Sequence, residues 1–573
     1  MPDPVSPMLD SVRRWLPLAF VALAAFWLRT HDLARRPMHA DEANQAVKLG
    51  ELLERGRYAF DPRDHHGPTL YYAALPIAWL RGEHTLAALT ETTVRLVPAF
   101  AGTLAVLLIA ALAAPLGRWP ALAAAAFVAV SPPAVYYGRY FIQETLLVTF
   151  TFGTFVCARE WWRSGRLRWA IATGACAGLM QATKSSAPLF LAAAAVAFLG
   201  GRSRNEAGSP ALSPRPLRPR ALALAMAAGL VVLTLFYSSF GTNPAGLRDT
   251  LAAYAHAWTR LSGGETGHEK AWWYYLHLFG WHREGGLLWQ QVMFSALACA
   301  GLAIAFTRCL RPQAEVERDS PEGSEPLCVF GASEARSAGD VQTTALGDRR
   351  PPIELTSSVP WDEPLAGARS HERRRVMTVE FGIRGEALLR WAAVYTVLVV
   401  VALSASRYKT PWHAVHFVPG FALLAAGALA AVGRLRTGHI VAAAMALLAL
   451  ATLTHQTWRA AFVRPADQRN PYAYVHSSPD VLKFRALAEA ALAGSEREPV
   501  RVISEEYWPL PWYLRGLPRV GYWSTPPADC DGALLIVSAP QAETVRARLH
   551  GVYHESFLGL RPGFLCIVFT RAR

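Results

Sequence analysis

Met38–Tyr72, MHADEANQAVKLGELLERGRYAFDPRDHHGPTLYY, directly follows the first apolar run of the chain and is too polar to enter a bilayer. Asp41 stands where a helix N-cap would stand, and Arg55 with Gly56 makes a stop signal. Between them Ala43, Ala46, Val47, Leu49, Leu52 and Leu53 recur at helical spacing. That pattern predicts an amphipathic helix lying on a membrane surface. Pro68 suits the first position of a second short helix over Thr69–Leu80, which Gly82 ends. The stretch therefore reads as an extramembrane loop, and everything around it reads as membrane.

The composition agrees with that division. The chain is 52% hydrophobic and only 17% charged, against about 25% charged residues in ordinary soluble domains. Its net charge of +14 falls in short basic clusters between apolar runs. Such clustering is the positive-inside pattern of a membrane protein, and it excludes a nucleic-acid surface as the reason for the charge. The seven cysteines are scattered and no CxxC occurs, so neither a zinc site nor a redox motif is indicated. The apolar run after Arg13 and Arg14 lacks a small-residue cleavage site and reads as an uncleaved first transmembrane helix.

A span needs about 20 apolar residues. Candidates stand near 14–29, 91–114, 119–137, 140–158, 168–183, 186–201, 220–239, 286–306, 388–405, 412–432 and 437–455, about eleven transmembrane helices in all. With this count Arg13 and Arg14, Arg118, Arg159 to Arg168, Arg202 to Arg220, Arg308 with Arg311, Arg373 to Arg375, and Arg434 with Arg436 share one side, the cytoplasmic one. The outer side receives 30–90, 240–285, Arg407 to Lys409, and everything after 456. Residues 311–372 are rich in Pro, Ser, Gly, Glu and Arg without an apolar period, which predicts a disordered cytoplasmic linker. The domain map is thus a transmembrane module over 1–310 with a first outer loop at 30–90, the linker, the last transmembrane helices over 373–455, and an extracytoplasmic α/β domain over 456–573. In that last domain VRVISEEY, RVGYW, GALLIVSA and FLCIVFT read as strands, and 479–493 and 541–549 as helices. Its Tyr507–Gly516 segment, YWPLPWYLRG, suits either a face resting at the membrane interface or a packed aromatic corner.

An Asp-Glu pair alone usually marks only a solvated helix start. Three other features join Asp41 and Glu42 on the outer side. Arg139 and Glu144 lie at a span end in YYGRYFIQETLLVTF, where an ionised side chain either snorkels or faces a partner or an aqueous cavity. Lys184, in MQATKSSAP, lies on the side that basic residues avoid and so invites an anion. SRYKTPWHAVH sets Arg407, Lys409, His413 and His416 at the mouth of a span, where clustered cations suit a phosphate. His65 and His66 read either as metal ligands with Asp61 and Asp64 or as a turn capping the next helix. Carboxylates at one pole and cations at another, inside a bundle, have the polarity needed to move a group from a lipid phosphate to a hydroxyl.

These residues carry a resemblance. HADEANQAVKLGELLERGRYAFDPRDHHGPTLYY, YYGRYFIQET, RYKTPWH and YWPLPWYLR resemble the dolichyl-phosphate-mannose protein mannosyltransferase superfamily, which has the GT-C fold and includes the aminoarabinose transferases of lipid A. The closer match is to the branch named for a flippase-activity-associated protein of archaeal N-glycosylation clusters. The resemblance implies an integral-membrane glycosyltransferase that uses a polyprenyl-phosphate sugar donor on the outer side. On the same footing, Asp41 matches the superfamily's catalytic base, and Lys409 matches the branch lysine and would bind donor phosphate. Glu144 falls at the second outer-loop carboxylate, where the usual residue is aspartate.

The expectation is an inverting hexosyltransferase of the plasma membrane, passing sugar from a polyprenyl-phosphate lipid to a glycan, lipid or protein acceptor. Asp41 is the base, and Glu42 and Glu144 position the acceptor or a divalent ion. Arg139, Lys184, Arg407 and Lys409 neutralise phosphate, and His65, His66 and His413 complete the substrate-binding set. No cofactor is named by these residues; a divalent metal ion at the carboxylates is the one candidate. The alternative is a non-catalytic accessory protein or translocase for polyprenyl-linked sugars, which needs the cations and groove without the base.

Overall fold

Apolar length and helix caps lay out the first half of the chain in the computed structural model, which describes residues 6–62, 66–200, 218–262, 268–309, 366–494 and 497–572. α1 (Ser6–Thr30) leads through a short loop to α2 (Ala40–Arg55) and α3 (Thr69–Leu80). Gly56 ends α2 in the left-handed conformation, its N–H returning to Leu52 O at 2.9 Å. Pro68 stands one position ahead of α3 rather than at its first residue, and Arg81 closes that helix before Gly82 turns with φ +71°. Thr90 caps α4 (Glu91–Ala113) by accepting from Thr93 N. Then follow α5 (Arg118–Val130), α6 (Pro132–Tyr137), α7 (Glu144–Ser164), α8 (Leu167–Thr183), α9 (Ala187–Gly200), α10 (Pro219–Tyr237), α11 (Ala245–Ser262) and α12 (Tyr274–Phe279). A hairpin of β1 (Trp281–Glu284) and β2 (Leu287–Gln290) leads into α13 (Val292–Cys309), and α14 (Ala366–Ala405), α15 (Val418–Val432) and α16 (Gly438–Trp458) complete the helices of the bundle.

A helix stands at each of the eleven expected span positions, and among the described residues five are both long and apolar enough to cross a membrane: Glu91–Leu116, Pro219–Tyr237, Gly385–Ala405, Pro411–Val432 and Gly438–Val463. The protein is a polytopic helical membrane protein. Several expected spans are corrected in their bounds, among them three where the chain leaves regular α-helix. Residues 286–290 belong to the hairpin, the 119–137 run breaks at Ser131 where Pro132 starts a new helix, and 411–416 is a 3-10 turn before α15. Helices α8 and α10 approach backbone to backbone, because a Cβ on Gly174 would lie 1.8 Å from Ala225 O. The chain divides into Met1–Phe306 with Phe381–Arg573, and Thr307–Glu380. The linker expected over 311–372 lies outside the described residues up to 365, and its last residues open α14.

The C-terminal part holds α17 (Lys483–Ala493), β3 (Val500–Ile503), α18 (Leu510–Tyr513), β4 (Val520–Trp523), β5 (Leu534–Ser538), α19 (Ala542–Arg546), β6 (Tyr553–Arg561) and β7 (Phe564–Arg571). The sheet order is β4-β3-β5-β7-β6, with β3 parallel to β4 and β5 and the last two strands antiparallel. β5 is buried along its whole length, as its unbroken apolar run requires. β6 escapes sequence reading because it is an edge strand whose first half is polar and exposed.

Where this domain packs decides the site. One hydrophobic core contains Ala43, Ala46 and Leu49 of α2, Leu70 and Ala74 of α3, Val94 of α4, and Val500, Trp512 and Ile536 of the C-terminal part. α2 is therefore roofed by protein rather than laid on a membrane surface. Tyr507–Gly516 is the aromatic corner of that roof. Trp512 is fully buried, its Nε1 donating to Glu91 Oε1 at 2.7 Å, while Tyr513 Oη accepts from Met38 N at 2.8 Å. Arg515 stacks over Trp512 and donates to Leu89 O at 2.7 Å.

Candidate active site

The first turn of α2 sorts the two adjacent carboxylates. His39, not Asp41, is the N-cap: its Nδ1 accepts from Asp41 N at 3.1 Å, and Glu42 Oε2 accepts from His39 N at 3.1 Å, closing a capping box. That bond leaves the proton of a neutral His39 on Nε2, which donates to Tyr474 O at 3.2 Å. Asp41 keeps its carboxylate free of cap duty and about half exposed.

Glu42 points the other way and is fully buried. Arg36 Nη2 reaches both of its oxygens at 2.9 Å, and Arg95 Nε and Nη2 reach one each at 3.0 Å. Phe141 N donates to Oε1 at 3.0 Å. Burial alone would raise its pKa, but Arg36 and Arg95, with the hydrogen bonds from Arg95 and Phe141 N, outweigh it and hold it at about 2. Arg95 also binds Leu33 O, Arg36 O and Pro37 O, so this cluster ties the loop after α1 to α2, α4 and the 138–143 loop. Glu42 is therefore corrected from an acceptor- or ion-facing group to the anchor that sets the start of α2.

Around Asp41 the 268–270 strap supplies the wall. His268 lies close enough to feel the Asp41 charge, and its Nδ1 meets Tyr474 Oη at 2.9 Å. Burial lowers the His268 pKa against the opposing pull of Asp41 and Glu269. The strap is pinned from below by Lys409, whose backbone N donates to His268 O at 3.1 Å and whose Nζ donates to Lys270 O at 3.1 Å and to Ser406 O. An ammonium has three donors, so one remains for a ligand. Arg407 beside it is exposed.

The second pole forms where α7 begins and α8 ends. Lys184, the residue closing α8, is ion-paired with Glu144, the first residue of α7, and both are buried. His413 faces Lys184 and His66, and its Nδ1 meets Tyr275 Oη at 3.1 Å. Gly67 makes this approach possible: its N–H donates to Thr183 O at 3.1 Å, and a Cβ there would lie 2.1 Å from Ala182 O. Rings join the two poles, with His268 against Tyr408 at 4.9 Å and Tyr408 against His413 at 6.3 Å.

Arg139 stands apart from both poles. It closes the C-terminal end of α1, donating to Leu28 O at 3.1 Å, His31 O at 2.6 Å and Asp32 O at 3.0 Å, and it covers the Phe462 ring. It is corrected from a phosphate ligand to a helix cap. His65 lies outside the described residues. Among the described residues, no group of three or more His, Cys, Asp and Glu side chains is placed to hold a metal ion. The contacts thus form two groups: Lys409 with His268, Lys270 and Tyr474 at the strap beside Asp41 and His39, and Lys184 with Glu144, His413 and Tyr275 at the second pole. The HADE and WWYYLH runs held a signal for His39 and Tyr275, but nothing local marks His268 as close to Asp41 or Tyr474 as its partner.

Comparison with known proteins gives the fold its relatives. Residues 74–212 match the family model described as dolichyl-phosphate-mannose-protein mannosyltransferase. No curated protein matches the chain in sequence. The structure of ArnT from Cupriavidus metallidurans in the apo state superposes with a TM-score of 0.56 at 14% identity, covering 98% of each chain. The same enzyme bound to undecaprenyl phosphate gives 0.54 at 14% identity over 97% of each chain. The Archaeoglobus fulgidus oligosaccharyltransferase tethered with an acceptor peptide covers 98% of this chain and 74% of its own, with a TM-score of 0.49 at 13% identity. The chain has the GT-C fold.

Proposed function

We propose that the protein is an inverting glycosyltransferase that moves a hexose from a polyprenyl-phosphate donor to an acceptor hydroxyl on the outer face of the plasma membrane. One observation carries the reading. Asp41 is the carboxylate left half exposed at the head of α2, released from capping by His39, while Lys409 keeps an unused donor beneath the strap whose His268 feels the Asp41 charge. In the reaction Asp41 takes the acceptor proton as the acceptor oxygen bonds to the anomeric carbon. The bond from that carbon to phosphate oxygen breaks, its electron pair leaves with the lipid phosphate, and the configuration inverts. Lys409 and Arg407 meet the growing phosphate charge, and the Lys184–Glu144 pair with His413 and His66 shapes the second pole. The GT-C fold shared with ArnT, which has been seen bound to undecaprenyl phosphate, supports a lipid-phosphate donor. The basic clusters between the apolar runs support the outer placement.

The direct test is transfer by the purified protein in lipid nanodiscs, supplied with polyprenyl-phosphate hexoses and envelope extract as acceptor, with the anomeric configuration of the product read by NMR. Release of lipid phosphate with inverted product is expected. Retained configuration, or donor binding without release, would overturn the reading, the second in favour of an accessory or translocating role.

A further inference from the structure

The short helix α12 carries more apolar surface than the bundle buries. Tyr275, Leu278 and Phe279 are buried. Trp272 and Trp273 just before the helix, Leu276 within it and Trp281 just after it are not: Trp272 is 67% exposed and the other three are about half exposed. Large apolar side chains concentrated and left open in this way mark an interaction surface. The transfer reaction gives them no part.

The contacts of the buried residues set the depth of the segment. Phe279 packs on Phe421 with ring centroids 4.9 Å apart, and Phe421 lies in the first turn of α15, inside the Pro411–Val432 span. Tyr275 packs on Phe417 at 5.1 Å and donates to Thr410 O at 3.1 Å, at the entrance to the same span. Gln291 N donates to Gly280 O at 3.1 Å, so the end of α12 meets the start of α13. The tip of the β1–β2 hairpin points elsewhere. A Cβ on Gly285 would lie 2.5 Å from Arg469 Cδ, in the loop that follows α16, and Arg283, Glu284, Gly285 and Gly286 are all exposed. The segment thus grades from a polar tip to apolar side chains where the helices of the bundle begin, which is the grading of an element lying in a membrane interface.

We propose that Trp272, Trp273, Leu276 and Trp281 insert into the headgroup region of the phospholipid leaflet at this end of the bundle, so that 272–281 is an interfacial anchor beside the spanning helices. Tryptophan suits that depth, with an apolar ring for the acyl boundary and an N–H for headgroups or water. Phospholipid is the occupant because the surface continues into α13, whose first residue, Val292, is also exposed. The anchor bears on the site as well. Lys270, whose carbonyl accepts from Lys409 Nζ, stands two residues before Trp272. The leaflet therefore holds the far side of the 268–270 strap, while Lys409 holds the near side. The assignment is independent of sugar transfer, since it concerns only where the segment lies.

The test places the photoreactive residue p-benzoylphenylalanine singly at Trp272, Leu276 and Trp281 of the full chain, with Glu284 at the hairpin tip as the reference position. The protein is held in nanodiscs of phosphatidylethanolamine and phosphatidylglycerol, irradiated, and its adducts are identified by mass spectrometry. Phospholipid adducts should form at all three positions, severalfold above the level at Glu284. If one variant does not fold, the other two decide. Adducts to a second copy of the chain would overturn the assignment in favour of a dimer face. A folded protein without lipid adducts, or with equal labelling at Glu284, would overturn it in favour of a segment standing in water. A protein that turns over no donor would leave a positive result standing.

Discussion

Arg95 Nε and Nη2 meet the two oxygens of Glu42 at 3.0 Å each, and neither side chain reaches solvent. Removing one member of such a buried pair typically costs about 3–5 kcal/mol, because the partner is left charged without a counter-ion. Glu42→Gln should therefore lower thermal stability sharply and reduce folded yield. The pH dependence has a definite sign. The Glu42 pKa is depressed to about 2 in the folded protein, so its stabilisation is full above the unfolded value of about 4.5 and is lost as pH falls through about 2. A shift of that size corresponds to roughly 3 kcal/mol. Melting curves from pH 7 to pH 2 should show a fall below about pH 4.5 that is shallower in Glu42→Gln.

Asp41→Asn should leave folding intact, since the cap of α2 belongs to His39. Turnover should drop by about 10²–10⁴-fold, the usual cost of losing a positioned base. Single-turnover transfer assays beside melting curves check both halves. Wild-type turnover in Asp41→Asn would remove Asp41 from the chemistry.

Lys184 and Glu144 form a pair whose members are each poor alone. Lys184→Met leaves a buried carboxylate and should destabilise by about 3–5 kcal/mol. Adding Glu144→Gln should recover much of that loss, which a double-mutant cycle on thermal stability would measure. Additive losses would show that the two do not share their charge.

Lys409→Met should act on the donor rather than on the fold of the bundle. It deletes the free donor of the ammonium and also releases the carbonyls of Lys270 and Ser406. Donor affinity should fall more than for Arg407→Gln, whose side chain is exposed and screened by solvent. Titration with radiolabelled lipid-phosphate sugar would rank the two; equal losses would place the phosphate nearer Arg407.

Chelation should matter little. Glu42 is held by two arginines and Glu144 by Lys184, which leaves Asp41 as the one free carboxylate among them. A single carboxylate is a poor divalent-cation site, so EDTA should change turnover by less than about twofold. Loss of activity with EDTA and rescue by one added metal would call for ligands outside the described residues.

By itself the sequence determined the helical spans, the stop at Gly56, and the apolar strands β3, β4, β5 and β7, because apolar length, periodicity and turn chemistry are properties of neighbouring residues. It also drew attention to Asp41, Glu144, Lys184 and Lys409 as charged groups where a membrane end makes charge expensive. Only the tertiary structure decided their duties. Asp41 and Glu42 are adjacent and alike in sequence, yet one is half exposed and the other fully buried, because Arg95, 53 residues away, sits against Glu42. Tyr507–Gly516 suited two environments equally, and Glu91 and Met38 selected the packed one. His39 meets Tyr474 across 435 positions, and Lys184 meets Glu144 across 40. Those pairings depend on which side chains the bundle and its roof bring within about 3 Å, the range over which a hydrogen bond forms, and no local pattern encodes that distance.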